Sequence, residues 1–322
     1  MALRLSVLDH ATIDPGEDAA AALMQLDQLA QRAEELGYEH LWLSEHHGQD
    51  FTASTAPEIL LARLASTTSR IGLGSGGVML PNYAAYKVAE VFNTLAVMAP
   101  DRVNLGVGRA TGADLAVTAA LNEEKERPLP FDRKFADLLG FLGEDAVQND
   151  PHRGLLARPV PPTAPTPWIL SSGTSTAQLA GRSGVGFNFA HFINPSGKGA
   201  RAAQEYRMAF RPSRFLAAPS MLVTSAVSVA DTEARARELA EARPRWLSTA
   251  EVPVRQGLRE EAARTRNRER MLVGTGKQVY RQLQELARAH GTDQVMVNTS
   301  APGVANQLRA LQLLAEARDG TP

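Results

Sequence analysis

Short apolar segments alternate with longer amphipathic segments along most of this chain. The short segments are typical of buried β-strands, and they lie at residues 3–8, 39–43, 71–77, 102–106, 167–171, 185–189, 221–228 and 294–298. The longer segments repeat apolar residues three and four positions apart and predict helices at residues 19–36, 56–68, 84–98, 131–147, 175–183, 197–210, 232–247, 277–290 and 304–317. Because each strand is followed by a helix, the order predicts an α/β fold.

Local signals mark the ends of the first two helices. Gly37 follows the first helix at the position where a glycine commonly ends a helix. Ser54 and Thr55 precede the second helix and are candidates for its amino-terminal cap, while Pro57 fits its first turn. These residues indicate two separate helices, each following its own strand.

Eight strands, each followed by a helix, predict a (β/α)8 TIM barrel with insertions. A barrel of this kind needs about 250 residues, whereas the chain has 322. We assign the surplus to residues 148–166, which are rich in proline, and to residues 248–273, which are rich in charge. Since no internal repeat or linker is visible, residues 1–322 are interpreted as a single domain. A doubly wound open sheet is the alternative for the same order of elements.

Composition narrows the classes of function. The formal net charge is −1, which argues against a nucleic-acid partner because nucleic-acid-binding proteins usually carry a basic surplus. The chain has no cysteine, so disulfides, thiolate metal sites and cysteine nucleophiles are excluded. No segment resembles a signal peptide or reaches the roughly 20 apolar residues of a membrane span. We therefore expect a cytoplasmic protein without a membrane partner.

The most informative polar run comes directly after the second strand, where Glu45, His46 and His47 follow Ser44. In a barrel the carboxyl ends of the strands form the face at which catalysis takes place. An imidazole near neutral pH suits proton transfer, although histidines that only cap a strand end are the alternative. The spacing from His40 matches no helical zinc motif, so no metal site is predicted.

A glycine-rich segment, residues 72–77, formally contains the pattern G-x-G-x-x-G. The dinucleotide-binding version of this motif requires a helix to begin within it, whereas residues 78–82 are extended and turn at Pro81. We therefore reject a dinucleotide site of that kind. Glycine within a strand often marks a bulge or the close approach of a ligand, and tight packing of a barrel strand is the alternative.

Two further strand ends carry groups suited to an anion. Arg109 follows the fourth strand, and arginine can bind a phosphate through two hydrogen bonds. Residues 171–176 follow the fifth strand and open a helix, where free amides, hydroxyls and the positive helix end favour an anion. The alternative for Arg109 is a surface ion pair, and the alternative for residues 171–176 is a simple helix cap. Asp9, His10 and His191 also lie at strand ends.

Residues 42–47, 74–81, 101–109 and 171–176 together resemble the motifs of the bacterial luciferase-like flavin monooxygenases. The resemblance covers nearly the whole chain and implies that His46 is the catalytic histidine, supported by Glu45 and His47. It also implies a non-prolyl cis peptide between Gly76 and Gly77, beneath the flavin ring. The residues that it implies for the flavin phosphate are Arg109, Ser172, Gly173, Ser175 and Thr176.

In function, the resemblance implies a two-component monooxygenase that uses FMN. A separate flavin reductase would supply reduced FMN, and oxygen, the co-substrate, would add at the flavin C4a atom. The small-molecule substrate would be apolar, such as an aromatic polyketide, because some relatives tailor natural products in antibiotic biosynthesis. A homodimer formed through the helices at residues 56–68 and 84–98 is implied as well.

The chain departs from luciferase itself at two points. Ser172 stands where luciferase has a glutamate, and the lid region at residues 115–130 has no cysteine, which argues against light emission. Relatives on the same fold use the deazaflavin F420 for hydride transfer, and a non-catalytic flavin-binding subunit is a further alternative. Binding of reduced FMN or of F420, and the consumption of oxygen during turnover, would distinguish these functions.

Overall fold

The computed structural model describes residues 2–122, 129–142, 152–195, 197–242, 271–299 and 301–320. The strands are β1 (Arg4–Asp9), β2 (His40–Leu43), β3 (Gly72–Met79), β4 (Val103–Gly108), β5 (Thr166–Ser171), β6 (Gly186–Ala190), β7 (Met221–Val229), β8 (Met271–Gly274) and β9 (Gln294–Asn298). The helices are α1 (Ala19–Glu35), α2 (Pro57–Thr67), α3 (Ala85–Met98), α4 (Leu115–Ala120), α5 (Phe131–Phe141), α6 (Thr174–Ser183), α7 (Lys198–Ala209), α8 (Glu233–Ala242), α9 (Gly276–His290) and α10 (Val304–Asp319). A 3-10 turn at Leu80–Asn82 follows β3.

Eight parallel strands form a closed ring. Strands β1 to β6 pair in chain order, β6 pairs with β7, β7 pairs with β9, and β9 returns to β1. Because the ring closes and helices flank it, the fold is the (β/α)8 barrel that the sequence predicted. The open doubly wound sheet is therefore wrong. None of the described helices is long and apolar enough to cross a membrane.

Strand β8 lies outside this ring and was not predicted. It pairs with the second half of β7, from Ala226 opposite Met271 to Val229 opposite Gly274, whereas the first half of β7 pairs with β9. The assignment of residues 248–273 to a charge-rich insertion is wrong for residues 271–273, which belong to β8. A four-residue strand has too few positions for a recognisable period, and it forms because β7 extends beyond its other neighbour. Residues 243–270 lie outside the described residues.

The amino-terminal cap that we expected for α2 is also wrong. The residue before α2 is Ala56, with no side-chain hydrogen bond to the helix, and Pro57 occupies the first turn. Ser54 instead is fully buried and donates its hydroxyl to the carbonyl oxygen of Ser44 at 2.5 Å. This hydrogen bond joins the loop before α2 to the end of β2, so the serine supports the site and not the helix.

One described helix was not predicted, and two predicted helices extend beyond the described residues. Helix α4 begins after Asp114, whose side chain accepts a hydrogen bond from the amide of Val117, and no helix was predicted there. Helices α5 and α8 begin where the sequence indicated. The predicted remainders of these two helices, at residues 143–147 and 243–247, lie outside the described residues.

Large side chains fill the barrel interior, and glycines on neighbouring strands make room for them. Trp42 lies opposite Gly74, and Trp168 lies opposite Gly186. A Cβ atom on Gly74 would come 2.5 Å from the ring of Trp42, and one on Gly186 would overlap the ring of Trp168. The two indoles meet edge to face at 5.7 Å and pack with Leu8, Leu222 and Met296. Because the interior is packed, ligands must bind at an end of the barrel.

Candidate active site

The predicted site residues lie in or directly after the carboxyl halves of barrel strands. Residues 44–47 follow β2, Gly76 and Gly77 lie within β3, Arg109 follows β4, and residues 171–176 link β5 to α6. Since the strands are parallel, these segments lie at the same end of the barrel. This end therefore brings together the groups that the sequence singled out.

Glu45 is the centre of a buried hydrogen-bond network. Its carboxyl group, 1 % exposed, accepts from Nε2 of His47 at 2.7 Å, from the hydroxyl of Tyr83 at 2.9 Å and from the amide of Met79 at 3.2 Å. Burial raises the pKa of Glu45, and these three hydrogen bonds oppose the rise. Tyr83 and the Met79 amide were not predicted, because neither comes from the motif that carries Glu45.

His46 is half-buried beside this network. Burial, together with the nearby charge of His47, lowers the pKa of His46 to about 4. Its ring lies 6.3 Å from that of Phe51, and its amide donates to the carbonyl oxygen of Ser54 at 3.1 Å. His46 is therefore a neutral imidazole at physiological pH, which leaves one ring nitrogen able to accept a proton.

A second buried histidine joins three strands at the same end. Nδ1 of His10 lies 2.6 Å from the hydroxyl oxygen of Ser44, and its Nε2 lies 2.6 Å from Nδ2 of Asn298. With the amide nitrogen of Asn298 as donor to Nε2, Nδ1 carries the proton and donates to Ser44. Asn298 was not predicted as a site residue. The only signal for it was a polar residue that ends a buried strand.

The peptide between Gly76 and Gly77 is cis, as the resemblance implied. The pairing of β3 with β4 also shifts its register between Ser75 and Val78. A Cβ atom on Gly76 would come 2.8 Å from Cδ1 of Leu8, and one on Gly77 would come 2.8 Å from the carbonyl oxygen of Gly106. Close packing within the barrel thus disfavours a side chain at either position.

The loop after β5 presents donors at the start of α6. Helix α6 begins after Gly173 and has no side-chain cap, so its first amides, at Thr174, Ser175 and Thr176, face outward from the helix end. The hydroxyl oxygens of Ser171 and Thr176 lie 2.5 Å apart, and the Gly173 amide donates to Ser171 at 3.1 Å. The loop at residues 171–176 contains no carboxylate. A helix end of this composition suits a phosphate group.

Arg109 follows directly after β4, the strand that pairs with β5. Val107 of β4 is opposite Ile169 of β5, and two positions further along the two segments come Arg109 and Ser171. Arg109 is exposed, and it forms no ion pair with any carboxylate in the described part of the chain. Its guanidinium group is therefore available to an anion, and the amides at the start of α6 are a second set of donors of the kind that suits a phosphate group.

Two other strand-end residues are engaged elsewhere. Asp9 is buried, accepts from the amide of Ala11 at 2.6 Å, and has a pKa raised to about 6, mainly by burial. His191 packs at right angles to His290, with ring centroids 6.1 Å apart.

The described residues contain no group of three or more potential ligand side chains that would hold a metal ion.

Comparison with known proteins assigns the chain to a class. The family model for luciferase-like monooxygenases matches residues 3–315. The uncharacterised protein YwcH of Bacillus subtilis is 39% identical over 330 residues, which cover 97% of this chain and 98% of the relative. The N-acetyl-S-alkylcysteine monooxygenase of the same organism is 44% identical over 193 residues, or 60% of this chain and 58% of the relative. The chain therefore belongs to the luciferase-like monooxygenase family, and it is an enzyme of that class.

Solved structures agree with the fold. The structure of apo-MsnO8 superposes with a TM-score of 0.84 at 34% identity and covers 99% of both chains. More distant matches show only the fold. They include the oxygenating constituent of 3,6-diketocamphane monooxygenase in complex with FMN, at 18% identity and TM-score 0.70 over 98% of this chain and 97% of the other. An F420-dependent secondary alcohol dehydrogenase matches at 17% identity and TM-score 0.68 over 98% of both chains.

Proposed function

We propose that this enzyme is a two-component monooxygenase that binds reduced FMN from a separate reductase and uses oxygen to oxygenate a small apolar substrate. The observation that supports the proposal is that a helix start with free amides and no nearby sequence carboxylate, and a neutral, half-buried histidine, lie at one end of the same barrel. The first would hold a flavin phosphate, and the second would handle a proton at the reacting centre.

The cofactor would be held at three places. Arg109 and the first amides of α6, including that of Thr176, would bind the phosphate, with Ser172, Gly173 and Ser175 in the same segment. Gly76 and Gly77 carry no side chains and would let the β3 backbone approach the ring. Bound reduced FMN would supply the activation of oxygen, which no side chain of this protein can perform.

The protein residues would supply proton transfer and shelter from water. His46 is neutral at physiological pH, so a ring nitrogen can accept a proton and later return it. Glu45 and His47 would hold the neighbouring part of the site in place through their 2.7 Å hydrogen bond. Burial of Glu45 and of the rings around His46 keeps this region poor in water.

Apolar side chains near the site support an apolar substrate. Phe51 lies beside His46, and Leu115 at the start of α4 and Ile193 after β6 are exposed on segments that follow the carboxyl ends of strands. Aromatic polyketides are the substrates that we would test first, as in natural-product tailoring. The name of the relative from Bacillus subtilis adds N-acetyl-S-alkylcysteines to the substrates to be tested.

We also propose a homodimer formed through α2 and α3. Ile59 of α2 and Met98 of α3 are more than half exposed, which supports an apolar contact on these helices. Ala85 and Ala89, in contrast, are buried in the core of this chain, so they serve its own packing. Sedimentation of a single monomeric species at micromolar concentration would refute the dimer.

The decisive experiment is an anaerobic titration of the protein with photoreduced FMN, followed by rapid mixing with oxygenated buffer. We expect saturable binding, and then a flavin absorbance spectrum that differs from those of reduced and oxidised FMN and outlasts the reaction of free reduced FMN. Binding without such a spectrum would contradict oxygen activation. The same titration with reduced F420 distinguishes hydride transfer, and a protein that binds neither cofactor refutes both functions.

A further inference from the structure

The hydroxyl group of Tyr83 contacts both members of the Glu45–His47 pair. It donates to Oε1 of Glu45 at 2.9 Å and lies 3.4 Å from Nε2 of His47, which is 2.7 Å from the same oxygen. Tyr83 lies 38 positions after Glu45, on the segment between β3 and α3. Two groups therefore share one carboxylate oxygen, and the position of each affects the other.

The segment that carries Tyr83 is itself anchored. Nζ of Lys134 donates to the carbonyl oxygen of Pro81 at 2.8 Å, and the side chain of Asn82 donates to the carbonyl oxygen of Thr111 at 2.9 Å. The amide of Tyr83 also donates to the carbonyl oxygen of Leu80 at 3.2 Å. Helix α5 and the loop after β4 thus fix the place from which Tyr83 reaches Glu45.

The shared oxygen determines which nitrogen of His47 carries a proton. Nε2 faces a carboxylate that can only accept, so Nε2 is the protonated nitrogen while Glu45 is ionised. No hydrogen bond joins the other nitrogen, Nδ1, to any described residue. Nδ1 therefore has a free lone pair and can accept a proton.

We propose that Tyr83 is a positioning residue, which holds Glu45 ionised and thereby keeps His47 in the tautomer whose Nδ1 accepts a proton. The inference rests on the proposed function, since it assigns Tyr83 and Nδ1 of His47 to the same site. The titratable groups that surround Tyr83 and the pair are His46 next to His47, and Glu58 of α2, whose charge acts on Tyr83. Burial and the charge of Glu45 raise the pKa of Tyr83, so its hydroxyl keeps its proton at physiological pH.

The test compares Tyr83→Phe with Tyr86→Phe, a control that removes a hydroxyl bonded to the carbonyl oxygen of Leu156. In protein with ¹⁵N-labelled histidine rings, NMR reports the tautomer of His47 without any cofactor. We expect the Nε2-protonated form in the wild type and in Y86F. In Y83F the carboxylate of Glu45 loses one of its hydrogen bonds, so Glu45 should take up a proton at a pH about one unit higher than in the wild type. The Nε2-protonated form of neutral His47 should then give way to the Nδ1-protonated form at that higher pH.

A kinetic measurement uses the same variants. The acid limb of kcat/KM should move to higher pH in Y83F by a similar amount and stay in place in Y86F, an outcome that a purely structural role of Tyr83 does not predict. An unshifted limb together with an unshifted tautomer transition in Y83F would overturn the inference. An Nδ1-protonated His47 in the wild type would overturn it as well, even if Y83F failed to fold. A wild type that does not bind reduced FMN would refute the proposed function, while the NMR result would still decide the role of Tyr83.

Discussion

The imidazole rings of His10 and His46 face one another at the carboxyl end of the barrel, with centroids 5.6 Å apart and planes inclined by 51°. His10 is held on both ring nitrogens, by Ser44 at the end of β2 and by Asn298 at the end of β9. His10, the ring against which His46 packs, follows β1 near the start of the chain and is held in part by β9 near its end. Closure of the barrel therefore contributes directly to the position of the candidate catalytic histidine.

Replacing His46 by alanine should reduce turnover far more than it reduces flavin affinity. A general acid or base contributes about 100-fold or more to a rate, so we expect kcat to fall by at least that factor. The dissociation constant of reduced FMN should change by less than about threefold, because the phosphate contacts remain. Steady-state product formation and anaerobic titration measure the two effects. The variant His152→Gln, outside the strand ends, is the control, and unchanged product formation by H46A would exclude the proposed role.

The protonation of His46 should occur at unusually low pH. Its folded-state pKa of about 4 lies below the usual 6.5, so folding loses stability as the pH falls from about 6.5 to about 4, where the unfolded chain binds the extra proton. An NMR titration of the His46 ring should show a midpoint near pH 4. The decline of the melting temperature over this interval should be less steep in His46→Gln. A midpoint near 6.5 would contradict this prediction.

Arg109 should recognise the phosphate and not the flavin ring. Replacing it by glutamine removes charge-assisted hydrogen bonds, so the dissociation constant of reduced FMN should rise about tenfold. The affinity for reduced riboflavin, which has no phosphate, should stay the same. Anaerobic fluorescence titrations with both flavins provide the comparison. Arg182→Gln, in the last turn of α6, is the control. An equal loss of affinity for both flavins would argue against a phosphate contact.

Gly77 should tolerate no side chain, in contrast to Gly173. The Cβ atom of Gly77→Ala would lie 2.8 Å from the carbonyl oxygen of Gly106, a backbone atom that cannot move aside without shifting β4. We expect its free energy of unfolding to fall by about 1–3 kcal/mol. A Cβ atom on Gly173 would meet nothing closer than 3.8 Å, so Gly173→Ala should stay within about 0.5 kcal/mol of the wild type. Urea unfolding of both variants checks this, and equal stability would show that β3 and β4 can separate.

Glu34 should stabilise the fold in a pH-dependent way. Burial alone would raise its pKa, but hydrogen bonds from the amides of Ile71, Arg70 and Ser69 and from the Ser69 hydroxyl lower it to about 2. Its contribution is therefore present above the unfolded-state value of 4.5 and is lost as the pH falls towards 2.

We expect Glu34→Gln to cost on the order of 1 kcal/mol at pH 7, since solvent screens a group that is only half-buried. The difference from the wild type should shrink below pH 4. Urea unfolding at several pH values measures both effects. The neighbouring Glu35→Gln, which loses only a surface ion pair with Arg32, is the control. A difference that does not vary with pH would show that the lost carboxylate charge is not the cause.

The barrel could be predicted from the order of strands and helices because the evidence for each element is local. Each barrel strand is a short apolar run and each helix has its own period, so the strands of residues 3–8 and 294–298 could be placed without knowing that they pair. The same holds for Glu45, His46, His47 and Arg109, which come directly after their strands. Position relative to a strand end sufficed to bring them to one face.

Which side chains meet within that face could not be predicted, because the contacts join residues far apart in the chain. Tyr83 reaches Glu45 across 38 positions, and Asn298 reaches His10 across 288, because barrel closure and strand register determine these distances. The pairing of β8 with the end of β7 and the inward hydrogen bond of Ser54 have the same origin. Hydrophobic periodicity reports whether a position is buried. It does not report which partner lies opposite, since that depends on how all eight strands close.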